Sequence, residues 1–218
     1  MNYSSLIKHN FTISNFAVIG RTGSGKTRIC KEIIYNLVKN TGKINRVFVF
    51  CENALYNKDY DFLPKSCIHE PNFEIVFDII KVQREFQKKG IKYNVLIILD
   101  DFISKINLNY ENPFNLLLSQ GRHIGITCIL ISQYINKLST TIRENINYWS
   151  LTRLSKLSLD HLYDYQLKFS TKNEFWDYYN SEISKVKYSS IFINNKNPYD
   201  ENVIRMNPVP DRNFELIF

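Results

Sequence analysis

Phe16-Ala-Val-Ile-Gly20-Arg-Thr-Gly-Ser-Gly25-Lys26-Thr27 decides the fold. Four apolar residues run into a glycine-rich turn that satisfies G-x-x-x-x-G-K-[ST] in full (Walker A), and an amphipathic stretch, Lys26–Val38, leaves it. Gly20, Gly23 and Gly25 let the backbone curl until successive N–H groups face phosphate oxygens. The positive end of the following helix adds to that field. Lys26 offers a point charge to β- and γ-phosphates, and the Thr27 hydroxyl is a ligand for Mg2+. Three of the chain's seven glycines fall within six residues here, which an idle turn does not explain. The loop Gly20, Arg21, Thr22, Gly23, Ser24, Gly25, Lys26 and Thr27 is expected to bind a nucleotide.

Working outward, short apolar runs alternate with longer amphipathic stretches, the pattern of βαβ units around a mostly parallel sheet. Phe16–Ile19, Val47–Phe50, Val95–Leu99 and Ile126–Ile131 read as strands buried on both faces. Lys26–Val38, Phe73–Lys89 and Pro113–Gln120 read as helices between them. Tyr148–Leu154 reads as a fifth strand, Leu157–Phe169 and Asn173–Ile183 as helices, and Ser189–Asn194 with Val203–Met206 as late strands around a turn at Asn197–Asp200. The expectation is a single α/β P-loop domain over residues 1–218, with a core at about 14–154 and a small C-terminal strand and helix extension at about 155–218.

Two further stretches complete a phosphate site. Val95–Leu99 ends in Asp100-Asp101, and ligands of open α/β sheets sit at the carboxyl ends of strands. Asp100 suits a Mg2+ ligand, and Asp101 a group that orients and polarises attacking water. The strand Ile126–Ile131 ends in Ser132-Gln133. The Gln133 amide can donate to a γ-phosphate and accept from water, so it can register whether that phosphate is present. Arg122 precedes the same strand, at the wrong end for its own nucleotide; in a ring it could reach a neighbour's and stabilise transition-state charge.

With 218 residues, 44% hydrophobic and 22% charged, the chain is expected to build an ordinary core. No apolar run is longer than the five residues of Val95–Leu99, far short of the roughly 20 residues that span a bilayer. Met1–Phe11 lacks the apolar block of a signal peptide. Neither membrane insertion nor secretion is expected. Cys30, Cys51, Cys67 and Cys128 have neither disulfide-framework nor zinc spacing, so a reducing, cytoplasmic setting is expected. The net charge of +7 resides in residues 1–50, where eight basic residues face the single acidic Glu32. That excess suits a polyanionic partner.

Gly-Arg-Thr-Gly-Ser-Gly-Lys-Thr, Ile-Leu-Asp-Asp and Gly-Arg-His-Ile-Gly-Ile followed by Ile-Ser-Gln together resemble the FtsK–HerA superfamily of DNA-pumping ATPases. The resemblance is closest to the compact genome-packaging ATPases of poxvirus and virophage type. Thr141-Ile142-Arg143-Glu-Asn145 and Ser190-Ile-Phe-Ile-Asn with Arg205-Met-Asn add to it, so that it spans residues 16–207. It implies a RecA-like fold, ATP and Mg2+ as cofactors, and a homo-oligomeric ring of five or six subunits around double-stranded DNA. It further implies DNA handling without sequence preference, capsid proteins as further partners, and a place in the host cytoplasm, a viral factory or the virion. Lys26, Asp101 and Gln133 are then the catalytic set, with Arg122 acting in trans and Arg143 as second choice. DNA-contacting residues stay unassigned; the basic first fifty residues and Asn107–Asn112 are candidates.

Two other readings stay open. A nucleotide or small-molecule P-loop kinase shares the loop and size, although no arginine-bearing lid is evident after Gln133. A nucleotide-gated assembly protein would keep Lys26 and Thr27 without needing Asp101 or Gln133. A signalling GTPase is disfavoured, because Asn136-Lys137 is followed by Leu138-Ser139 rather than a guanine-reading aspartate.

Overall fold

Runs of residues apolar on both faces become the strands of a sheet covered on both sides. The computed structural model describes residues 2–3, 7, 13–40, 43–52, 54, 56, 58–102, 113–166, 168–196, 202–207, 209 and 214–216. The turn expected at Asn197–Asp200 and the DNA-contact candidates Asn107–Asn112 lie outside them. In chain order the strands are β1 (Asn15–Ile19), β2 (Arg46–Cys51), β3 (Ile68–His69), β4 (Val95–Asp100), β5 (Ile126–Ser132), β6 (Tyr148–Leu151), β7 (Ser190–Asn194) and β8 (Val203–Met206). The helices are α1 (Lys26–Tyr35), α2 (Phe73–Lys88), α3 (Pro113–Gln120), α4 (Thr140–Glu144), α5 (Lys156–Asp160) and α6 (Lys172–Lys185).

Among the described residues the strands form one sheet in the order β3-β2-β4-β5-β1-β6-β7-β8. The first six are parallel; β7 and β8 add antiparallel. Alternate residues of each strand feed two cores. Ala17, Ile97, Leu99 and Leu130 pack beneath α2 and α3 with Val76, Ile80, Phe114 and Leu117. Phe16, Val18, Leu96 and Ile98 pack on the other face beneath α1 with Ile29, Cys30 and Ile33. Asp100 follows Leu96 and Ile98 in that alternation, so its carboxyl falls on the α1 face.

Register positions the site. Ile19 pairs with Ser132 and Asp100 with Ile131, so Gly20, Gln133 and Asp101 leave the sheet side by side. Because β5 lies between β1 and β4, Gln133 stands between the glycine loop and the tandem carboxylates.

Three elements differ from expectation. The stretch Leu157–Phe169 is not one helix: α5 ends at Asp160 and a 3-10 turn, Tyr163–Tyr165, follows. Side-chain bonds fold the chain back there: the Tyr163 hydroxyl donates to Ser170 O at 2.6 Å, and Gln166 Nε2 donates to Phe169 O at 2.9 Å. β6 stops at Leu151 rather than Leu154, because Thr152 and Arg153 turn to meet the glycine loop. α1 widens into a π-turn, Asn36–Asn40, where the buried Asn36 Nδ2 donates to Glu32 O at 2.6 Å and to its Oε1 at 3.0 Å.

Candidate functional site

Local chemistry leaves the start of α1 open. Asn72, Ser139, Ser155 and Thr171 cap α2, α4, α5 and α6 with side-chain acceptors. α1 starts at Gly25, φ 96°, with no side-chain cap and no acidic residue in its first turn. Its first N–H groups and its positive dipole end therefore suit an anionic acceptor. Gly23, φ 71°, and Gly25 need the left-handed backbone that glycine tolerates. Gly20 is glycine for a different reason than curling. A Cβ there would stand 1.7 Å from Thr152 Oγ1 and 2.7 Å from Ser24 Oγ.

The loop is braced from both flanks. Gly20 N donates to Ser132 O at 3.1 Å, and Arg21 N to Arg153 O at 2.9 Å. Ser24 Oγ lies 2.6 Å from Arg21 O and 2.7 Å from Thr152 Oγ1. Lys26 Nζ donates to Arg21 O at 3.2 Å across the loop mouth. Burial lowers the pKa of its ammonium, while the charges of Asp101 and then Asp100 raise it. The lysine and both carboxylates therefore share one electrostatic site.

The two aspartates sit in different surroundings. Burial pushes the Asp100 carboxyl up to about 6, against the hydrogen bond from Tyr60, with Asp101 adding to the rise and Lys26 opposing it. The Tyr60 hydroxyl donates to Asp100 Oδ2 at 2.8 Å. Asp101 has left the strand at φ 48°, a strained conformation that a short polar side chain tolerates, with its N–H on Ile131 O at 3.1 Å. Gln133 Nε2 donates to Asp101 Oδ2 at 3.1 Å, and Gln133 Oε1 accepts from Thr22 Oγ1 at 3.0 Å. One amide thus ties the glycine loop to the second carboxylate.

No cluster of three metal-ligating side chains occurs among the described residues. A magnesium site needs only one or two carboxylates or hydroxyls beside phosphate oxygens and water. The Thr27 hydroxyl at the start of α1 and the Asp100 carboxylate on the α1 face are oxygen donors of that kind.

The arginines lie apart from this edge. Arg122 occupies a 3-10 turn, Gly121–Ile124, before β5. Seven strand residues separate it from Gln133, about 20 Å at the usual rise. It stands near Lys196, whose ammonium donates to Ser14 Oγ at 2.7 Å. Arg143, in α4, donates through Nη1 to Leu138 O at 2.8 Å and through Nη2 to Thr140 Oγ1 at 3.2 Å. Neither serves the phosphate loop of its own chain.

Sequence reasoning missed three contributors. Tyr60 lies in the motif-free stretch between Cys51 and Glu70. Thr152 was placed in a strand interior. Tyr188 carries no local signal, yet its Cδ1 would stand 2.9 Å from a Cβ at Gly25. All three arrive from distant parts of the chain.

The Poxvirus A32 protein family matches residues 1–195. The chain is 28% identical over 151 residues to ORC1-type DNA replication protein 2 of Thermoplasma acidophilum, covering 67% of this chain and 36% of that protein. It thus spans little more than a third of that relative. It is 23% identical over 185 residues to uncharacterized protein 088R of Invertebrate iridescent virus 3, covering 84% and 69%. In structure it is similar to the genome packaging NTPase B204 of Sulfolobus turreted icosahedral virus 2 in complex with AMPPCP, with a TM-score of 0.63 and 15% identity over 90% of this chain and 98% of that one. At that identity the likeness is one of fold.

Proposed function

The chain belongs to the poxvirus A32 protein family, and from that premise we propose that it hydrolyses ATP to move double-stranded DNA within a viral genome-packaging motor. The observation that carries this reading is the Gln133 bridge between Thr22 and Asp101. A loop that only stored nucleotide would have no use for an amide reaching from the phosphate cradle to a second carboxylate.

In this reading the loop amides of residues 20–27 and Lys26 hold the triphosphate. Thr27 and Asp100 would hold Mg2+, which when bound would neutralise charge on the phosphates. Asp101 orients a water and accepts its proton as the water oxygen bonds to the γ-phosphorus and the bond to the β–γ bridging oxygen breaks. Gln133 senses the γ-phosphate and passes its loss to β5 and the loop. Arg122 lies at the far end of β5 and completes the site of an adjacent protomer, with Arg143 as second choice. The active form is then a ring, of five or six subunits by the family resemblance.

The solved neighbour B204 is a packaging NTPase bound to an ATP analogue, which supports a nucleotide in the same kind of loop. The excess positive charge of residues 1–50 supports DNA gripped through its phosphates, without sequence preference. Among the described residues no helix is long and apolar enough to cross a membrane. Work in the host cytoplasm or viral factory, beside capsid proteins, fits this chemistry.

The test is phosphate release measured across protein concentration, with and without duplex DNA. The expected result is turnover per chain that rises with concentration and with DNA, and falls with salt. Turnover that requires a small phosphate acceptor would make the protein a kinase. Nucleotide binding without turnover would make it an assembly protein.

A further inference from the structure

β6 and β7 lie on the flank of β1 opposite β5 and β4. A triphosphate with its γ end beside Asp101 and Gln133 must therefore direct its nucleoside toward β6 and β7. On that flank a cavity of about 370 Å3 opens between loop residues 21–24 and the turn at 186–189, which joins α6 to β7. Arg153 closes one side.

The turn is shaped to present an aromatic ring. Tyr188 is held at φ 63°, a left-handed conformation that costs a bulky residue energy and persists only when its surroundings enforce it. Ser189 enforces it: its N–H and its hydroxyl contact Val186 O at 3.2 and 2.8 Å. The ring of Tyr188 abuts Gly25 at the start of α1. The Arg28 guanidinium stands 4.7 Å from the ring centroid and the Lys187 ammonium 5.0 Å.

We infer that this cavity holds the nucleoside of the bound nucleotide, with Tyr188 as the platform on which the base stacks. The inference rests on the phosphate site proposed above and extends it to specificity. The far wall is aliphatic and aromatic, from Ile183, Val186 and Tyr188, with the cations Arg153 and Lys187 beside it. Among the described lining residues there is no carboxylate or carboxamide, and the Ser189 hydroxyl is engaged with backbone carbonyls. Such a pocket grips a base chiefly through its faces, and every base has a π-face. It accepts adenine and guanine alike.

Competition binding against a fluorescent ATP tests this, with ATP, GTP and inorganic tripolyphosphate as competitors. Wild-type protein should bind ATP and GTP comparably. Tyr188→Asn removes the ring and suits the left-handed backbone. It should weaken both purine nucleotides on the order of tenfold and leave tripolyphosphate unchanged. Val186→Trp, which fills the cavity, should exclude both nucleotides and spare tripolyphosphate. Unchanged ATP affinity in both variants would overturn the pocket, and a strong wild-type preference for one purine would overturn recognition by faces. If tripolyphosphate fails to displace ATP from wild-type protein, the phosphate-site reading itself falls, and the inference with it.

Discussion

The amide nitrogen of Gln133 donates to Asp101 Oδ2 at 3.1 Å while its oxygen takes the Thr22 hydroxyl hydrogen at 3.0 Å. Both bonds vanish together in Gln133→Ala. Turnover should fall on the order of 100-fold, with little loss of nucleotide affinity, since the loop amides and Lys26 stay in place. Measuring kcat beside an equilibrium Kd checks the split; equal losses in both would mean that Gln133 only shapes the loop.

In the proposed reading Asp100 acts as a carboxylate, and burial pushes its carboxyl up to about 6 in the nucleotide-free chain. The rate at low nucleotide and Mg2+, kcat/KM, which reports the free enzyme, should therefore climb with pH through an acid limb near that value. Tyr60→Phe removes a hydrogen bond that favours the ionised form, so the limb should move to higher pH. A pH–rate profile of the two proteins decides it, and an unmoved limb would mean that Asp100 does not govern the rate.

The same burial makes Asp100 costly to the fold. Its pKa is higher in the folded chain than the ordinary 3.8, so the folded state binds more protons. The stability that follows is present below about pH 4 and is lost as pH rises through about 6. Asp100→Asn keeps an acceptor for Tyr60 without the charge. At pH 7 it should gain on the order of 1–2 kcal/mol in denaturant unfolding, a figure discounted for partial exposure, while turnover is lost.

Gly20 has no room for a side chain. Gly20→Ala would press its methyl onto Thr152 Oγ1 and should cost about 1–3 kcal/mol, read as a lower Tm and weaker nucleotide binding. Thr152→Ala in the same chain removes the oxygen and should restore part of both.

Protomers carrying Arg122→Ala and protomers carrying Asp101→Ala should each be nearly inactive alone. If Arg122 completes a neighbour's site, mixtures form junctions with both groups intact and turnover reappears, passing through a maximum with mixing ratio. No recovery at any ratio would remove Arg122 from the trans role, and the same mixture with Arg143→Ala would test the second choice.

Much of this fold is legible residue by residue. The strands at 16–19, 47–50, 95–99 and 126–131 are apolar on both faces, which leaves each the same place in any register: the middle of a covered sheet. The helix expected at Phe73–Lys89 forms as Phe73–Lys88, started by the Asn72 cap. The apolar spacing of Leu157–Phe169 mimics a helix, whereas Tyr163 and Gln166 bond forward to residues 169 and 170. Thr152 and Tyr60 gave no sign because a hydroxyl's role depends on what the fold sets opposite it.

What the sequence determined by itself is the glycine-rich turn between a buried strand and a helix, since its glycine spacing acts over a few consecutive residues and needs little else. It also determined that a buried strand ends at Asp100, with Asp101 directly after it. What only the tertiary structure decided is how these parts meet. β5 lies between β1 and β4 because strand order follows from packing across the sheet, not from chain order. That placement sets Gln133 between the loop and Asp101. The same packing brings Tyr60 to Asp100 and Tyr188 to Gly25, 40 and 163 residues away in sequence.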